Sequence, residues 1–156
     1  MKKLLVSVLA VCFAVLSALA DDESEALEFF NNYVAAANSY SSEVANMYSS
    51  DAKIIRQVIK NDGTTQDVDT DTATYIKQMK LGQAGAKLRK YTNTYSDVTV
   101  EKIEDGQYKI SSQRQPSGET YKLKTYMIVE KQTDGSWLIV EEMMQTKVQV
   151  FLKYAK

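Results

Sequence analysis

Histidine is absent from the chain, and cysteine, proline and tryptophan each occur once. The missing histidines exclude His general bases, Ser-His and Cys-His nucleophile pairs, and the usual zinc sites. With Cys12 as the single cysteine, no intrachain disulfide can form, so stability must come from packing and hydrogen bonds. No internal repeat, low-complexity segment or interdomain linker interrupts the sequence. Basic excess is missing as well: 19 Lys+Arg stand against 20 Asp+Glu, which gives no long-range attraction to nucleic acid. What is plentiful is tyrosine, ten residues in all. Together with Trp137 these are the main side chains that combine an apolar body with a polar tip.

The N-terminus carries the one extended apolar run. Lys2 and Lys3 precede Leu4–Leu16, and Ser17-Ala18-Leu19-Ala20 leads to Asp21-Asp22. Small residues at Ala18 and Ala20 fit a signal-peptidase site, so residues 1–20 are expected to be a cleavable signal peptide, cut after Ala20. A bilayer-spanning helix needs about 20 apolar residues, which makes an uncleaved anchor the weaker reading. Lipidation at Cys12 would need a small residue before it, and Val11 stands there. The short Lys-led leader has a bacterial character and points to the periplasm or the exterior. Loss of Lys2 and Lys3 leaves 17 Lys+Arg against 20 carboxylates, a net charge of −3. Residues 21–156 then form one domain, long enough to enclose a core.

Along that domain, Ala26, Phe29, Phe30, Tyr33, Val34 and Ala37 recur at three- and four-residue spacing and predict a helix over 23–38. Asp21, Asp22 and Glu23 suit its positive end. A second short helix is expected over 41–49, capped by Ser41 or Ser42. Residues 51–60 read as a strand closed by the turn Asn61-Asp62-Gly63. A polar stretch, Thr64–Thr70, leads to a third helix near 71–81 with Asp71 as cap and Tyr75, Ile76 and Met79 as its stripe. Gly82 and Gly85 weaken any continuation toward Leu88. From Tyr91 the period becomes two. Strands are expected near 91–103, 107–115, 119–131 and 136–149, separated by Glu104-Asp105-Gly106, Pro116-Ser117-Gly118 and Thr133-Asp134-Gly135. Such short turns join antiparallel neighbours. The fold class is therefore α+β, with two to three N-terminal helices packed on a curved antiparallel sheet.

Two stretches carry a resemblance. One runs from Tyr33-Val34-Ala35-Ala36-Ala37-Asn38 through Met47-Tyr48-Ser49-Ser50-Asp51-Ala52 into a strand. The other is Asp134-Gly135-Ser136-Trp137-Leu138-Ile139-Val140. With the order of elements, they resemble the nuclear transport factor 2-like superfamily, the cone-shaped α+β barrel that includes SnoaL-like proteins and ketosteroid isomerase. The resemblance implies a pocket between a cupped sheet and the helices, used in different relatives as an enzyme site, a ligand site or plain core. Tyr33 matches the isomerase's oxyanion-binding tyrosine. Its general-base position falls on Arg56, which cannot accept a proton. Its protonated carboxyl donor falls on Lys124 or Thr125. One role of three is kept, so steroid-isomerase chemistry is not expected. Dehydratase and hydrolase relatives lean on pocket histidines, and none is present.

Strict alternation puts Trp137, Ile139, Glu141 and Met143 on one face of the last strand, with Glu142 opposite and solvated. If the first face lines the cone, Glu141 is a desolvated carboxylate suited to acid–base work; otherwise it pairs with a lysine at the rim. Tyr33, Tyr48, Tyr75, Tyr91, Tyr95, Tyr121 and Tyr126 are candidates for pocket hydroxyls or for ordinary sheet packing. Lys87, Arg89, Lys90, Lys122 and Lys124 form a basic set that could meet an acidic partner or phosphate, or be a solvated face. Asp67, Asp69 and Asp71 lack the glycine and closing glutamate of a calcium loop and read as loop plus cap. The tail residues Val148, Val150, Phe151 and Tyr154 extend the last strand or cover a dimer contact on the outer sheet face.

The leading expectation is an exported binding or interaction module without catalysis, holding a small apolar or amphipathic ligand or a protein partner. Tyr33, Tyr48, Tyr91, Trp137 and Glu141 are expected to line the pocket, and no cofactor, metal or nucleic acid is implied. The alternatives are a SnoaL-like lyase or isomerase using Glu141 with Tyr33, and a periplasmic component of an envelope or secretion assembly.

Overall fold

The computed structural model describes residues 21–155, so the expected signal peptide lies outside the described residues. Helix α1 covers residues 21–38 and buries Ala26, Phe30 and Tyr33, three members of the stripe read from its sequence. It ends in a Schellman arrangement: Ser41 N–H donates to the Ala36 carbonyl at 2.9 Å and Tyr40 N–H to that of Ala37 at 3.1 Å, with Tyr40 at φ 60°. The next segment is a 3-10 helix, Ser42–Met47, capped by the Ser41 hydroxyl.

Six strands follow: β1 (Tyr48–Ile59), β2 (Thr65–Thr70), β3 (Asn93–Glu104), β4 (Gln107–Pro116), β5 (Leu123–Lys131) and β6 (Trp137–Thr146). Helix α2, Thr72–Leu88, connects β2 to β3. The sheet order is β2-β1-β6-β5-β4-β3. The meander β3 to β6 is antiparallel throughout, as its short turns require. Gly106 (φ 74°) and Gly135 (φ 85°) sit in two of those turns, where a side chain would strain the backbone. One ladder departs from the expected antiparallel sheet: β1 runs parallel to β6. Those two strands are joined by the whole intervening chain rather than by a hairpin, so their relative direction is not bound by turn geometry.

Three further departures were found. The polar stretch 64–70 is the edge strand β2, paired with β1 around the Asn61-Asp62-Gly63 turn, and it buries only Val68. Helix α2 passes Gly82 and Gly85 and stops at Leu88, where Tyr91 N–H donates to the Ala86 carbonyl and Lys90 to that of Lys87. The tail does not extend β6. It turns into a 3-10 helix, Gln149–Tyr154, tied by Gln149 Nε2 to the Ile59 carbonyl at 2.8 Å.

Irregular pairing bends the sheet. In β3, Asp97 and Val98 lie opposite Ser112 alone, and Asp97 takes φ 56°. In β6, Ile139 pairs with Val129 and Glu141 with Ile128, which leaves Val140 as an extra residue. Against β1 the same Val140 lies opposite the four residues 49–52. The concave face holds the core of Phe30, Tyr33, Tyr48, Ile54, Tyr108, Ile110, Met127 and Ile139 under α1. Among the described residues, no helix is long and apolar enough to cross a membrane.

Candidate functional site

The extra residue at Val140 decides which carboxylate enters the core. Side chains alternate faces along a strand, and one inserted residue reverses the phase beyond it. Ile139 faces inward and is fully buried. After the bulge, Glu142 faces inward and is 2 % exposed, flanked by its cross-strand neighbours Ile54 and Met127. This corrects the alternation expected from Trp137: Glu141 and Met143 lie on the outer face, and Glu142 is not solvated. Glu141 accepts a hydrogen bond from Tyr126 Oη at 2.6 Å, and Lys109 Nζ lies 4.3 Å from the centre of the Tyr126 ring. A rim lysine pair for Glu141 is therefore replaced by a tyrosine partner.

Glu142 is held from three elements. Tyr48 Oη of β1 donates to Oε2 at 2.7 Å, and Tyr33 Oη of α1 donates to Oε1 at 3.1 Å. Tyr75 Oη of α2 lies 3.4 Å from Tyr48 Oη. With the Tyr48 proton directed at Glu142, Tyr75 is the donor in that contact. The rings meet edge to face, Tyr33 on Tyr48 at 6.4 Å and Tyr48 on Tyr75 at 5.4 Å. Burial raises the Glu142 pKa, while the Tyr48 hydrogen bond, the Arg56 charge and the Tyr33 hydrogen bond act in the opposite direction. Burial and the neighbouring Glu142 charge push the Tyr33 and Tyr48 phenols well above their ordinary range, and push Tyr75 to about 12. At neutral pH all three phenols are proton donors.

Directly beside this cluster lies a cavity of 440 Å³ between the sheet, α2 and the tail. That volume is within the range of small-ligand pockets. The α2 wall is built from Gln78, Met79, Gly82, Gln83, Ala86 and Arg89, which recur at helical spacing. Tyr33, Val44, Tyr75, Tyr95 and Phe151 supply apolar surface, and Arg56, Arg114 and Gln145 supply polar groups on the sheet side. Arg114 is 9 % exposed; its Nη1 donates to Asn93 Oδ1 at 2.9 Å and its Nη2 to the Gln145 carbonyl at 2.9 Å. Arg56 lies over the Tyr75 ring at 4.7 Å and near the Phe151 ring at 5.8 Å.

Of the five residues expected to line the pocket, Tyr33 and Tyr91 border this cavity. Tyr48 is buried beneath it, bonded to Glu142. Trp137 lies elsewhere, packed on Tyr108 at 5.9 Å with its Nε1–H on Glu25 at 3.2 Å. The pocket is therefore not filled by the tryptophan. Glu141 is on the other side of the sheet. Of the positions compared with the isomerase, Arg56 is a cavity wall, Lys124 is exposed, and Thr125 donates to the Met143 carbonyl. Asp71 caps α2 through Thr74 N–H, and Asp67 accepts from Gln57. Arg114 was not singled out from the sequence, although it shares the inward phase of Tyr108, Ile110 and Ser112. Glu142 carried no local signal, because nothing in the sequence marks the bulge before it.

No protein-family model matches the chain, and no curated protein matches it in sequence. Solved structures match it in fold. A domain of unknown function with a cystatin-like fold from Nostoc punctiforme aligns with TM-score 0.59 at 18% identity, over 85% of this chain and 84% of that one. A nuclear transport factor 2-like protein of unknown function from Shewanella oneidensis aligns with TM-score 0.59 at 12% identity, over 81% of this chain and 98% of that one. A provisionally assigned scytalone dehydratase from Novosphingobium aromaticivorans aligns with TM-score 0.51 at 17% identity, covering 78% and 82%. At these identities the likeness establishes the cystatin-like, nuclear transport factor 2-like fold and leaves activity to the site itself.

Proposed function

We propose that this nuclear transport factor 2-like domain is an exported binding module that holds a small amphipathic molecule in the cavity between α2 and the sheet. The observation that carries this reading is the separation of the cavity from the only carboxyl beside it among the described residues. Glu142 is committed to Tyr48 and Tyr33 below the floor, while the cavity itself is bordered by phenols, amides, guanidinium groups and apolar surface. Those groups orient a ligand by hydrogen bonds and burial; a general base in reach of it is what catalysis would add. Export rests on the leader sequence, and N-terminal sequencing of protein from the producing cell is expected to begin at Asp21.

The test is a thermal-shift and native mass-spectrometry survey with small amphipathic compounds, run beside Gly82→Leu. Gly82 borders the cavity, and nothing lies within 4 Å of where its Cβ would sit, so a leucine there fills space that a ligand would use. Compounds that bind the wild type and not Gly82→Leu support the proposal. Equal behaviour of the two proteins overturns it.

A second reading has its own observation. A buried carboxyl with a raised pKa, bonded to two phenols, is an acid–base unit of the type a lyase or isomerase uses. In that case the unit is Glu142 with Tyr33, not Glu141 with Tyr33, and the Tyr33 hydroxyl touches the substrate. Turnover abolished by Glu142→Gln with binding retained would favour it over a pure binder.

A further inference from the structure

Three guanidinium groups border the cavity and, among the described residues, no carboxylate does. Arg56 comes from β1, Arg114 from β4 and Arg89 from the end of α2. None of the three is in an ion pair: the described ion pairs are Lys102 with Asp105, and Lys131 with Asp22 and Glu25. Arg114 meets only neutral acceptors, and its Nε is buried without a partner. Arg56 meets two aromatic rings and the Met144 sulfur, at 3.4 Å from Nη1. Arg56 feels the charge of Glu142, whose own ionisation is opposed by burial and whose oxygens are already bonded by Tyr48 and Tyr33. Even fully ionised, that single carboxylate stands against three cations.

A guanidinium taken from water and left without an anion is unfavourable, and its planar fork matches a carboxylate better than any neutral acceptor. Arginines so placed are suited to accept an anion. The remaining wall is apolar: Val44, Met79, Tyr95 and Phe151 face the same space. We infer that the cavity takes an organic carboxylate with a compact apolar body, its charged group directed to Arg114 and Arg56 and its body set against Met79 and Tyr95. Arg89, exposed at the end of α2, adds an attractive field at the entrance. This inference rests on the binding reading above and specifies the chemistry of its ligand.

Calorimetry with 2-naphthoate and octanoate, each compared with its primary amide, tests it. Both carboxylates are expected to bind at least tenfold more tightly than their amides, with affinity falling as salt rises. Arg114→Lys keeps the charge but loses the fork, and is expected to remove most of the preference of each acid over its amide. In the wild-type protein, the Arg114 Nε–H resonance is expected to move on addition of 2-naphthoate and to stay in place with the amide. This second measurement holds even if the variant does not fold. Equal affinity for acid and amide, or an unmoved Nε–H resonance in the presence of bound naphthoate, overturns the anion inference and leaves the binding module standing. Failure of all four compounds to bind overturns both.

Discussion

The hydroxyl of Tyr48 donates to the carboxyl of Glu142 across 2.7 Å, joining the first strand to the last inside the core. The pair makes the protonation of one residue a property of the whole fold. Burial lifts the Glu142 pKa above its ordinary value of 4.5. The folded state therefore holds that proton more tightly than the unfolded chain does. Its stabilising effect is fully present below pH 4.5 and is lost as pH rises through the raised folded value. Glu142→Gln cannot ionise and lacks this loss. Urea melts taken from about pH 4 to about pH 8 are expected to show the wild type losing stability relative to Glu142→Gln as pH rises. A pH-independent difference between the two would contradict the buried-carboxyl assignment.

Tyr48→Phe removes the strongest of the contacts that favour the ionised carboxylate. The Glu142 pKa should rise further, and the pH-dependent loss should extend to higher pH than in the wild type. The cost is expected to be about 0.5–1.5 kcal/mol where Glu142 is protonated, the net size of a buried hydrogen bond, and to grow at the pH where the wild-type carboxyl ionises. Tyr33→Phe, which removes the longer 3.1 Å bond, is expected to cost less. Matched melts of the two variants at one pH check the order.

The meander and its turns were legible because each strand of β3 to β6 is bounded by a glycine-containing turn. So was the inward stripe of α1. The site was not, for a reason that can be traced to single residues. Reading β6 from Trp137 by strict alternation places Glu141 inward, and Val140 breaks that rule without a glycine or proline to announce it. Strand β2 was hidden because an edge strand needs only one buried apolar residue, here Val68. Helix α2 outran its glycines because intrinsic propensity is a weak term beside packing and a well-formed end. Arg56 cannot act as a base, and its place as a charged wall depends on Tyr75 and Phe151, distant in sequence and brought around it only by the fold.

That helix end carries a correctable strain. Lys90 takes φ 52° to close the Schellman arrangement after α2, a position where glycine is the usual residue. A side chain in this conformation costs roughly 1–2 kcal/mol, part of which glycine offsets by its greater freedom in the unfolded chain. Lys90 is exposed, so Lys90→Gly removes no buried contact. It is expected to stabilise the protein by about 0.5–1 kcal/mol, read from the midpoint of a denaturant melt with an unchanged slope. A loss of stability would show that Lys90 contributes more through its side chain than its backbone conformation costs.

Gly82 separates stability from binding in a single position. In the interior of an exposed helix, glycine is about 1 kcal/mol less favourable than alanine. Space is available for a side chain, since nothing approaches within 4 Å of the Cβ position. Gly82→Ala is therefore expected to be more stable than the wild type by about that amount. The same residue borders the cavity, one turn from Gln78 and from Ala86. A larger residue gains helix propensity and occupies ligand space together. Gly82→Leu is expected to keep the gain in stability and to lose affinity for any compound that binds the wild-type cavity. Had glycine been present for helix flexibility alone, the leucine variant would be stabilised with its binding intact. Melting the two variants beside the wild type, with and without 2-naphthoate, distinguishes a glycine that keeps a cavity open from one the fold merely tolerates.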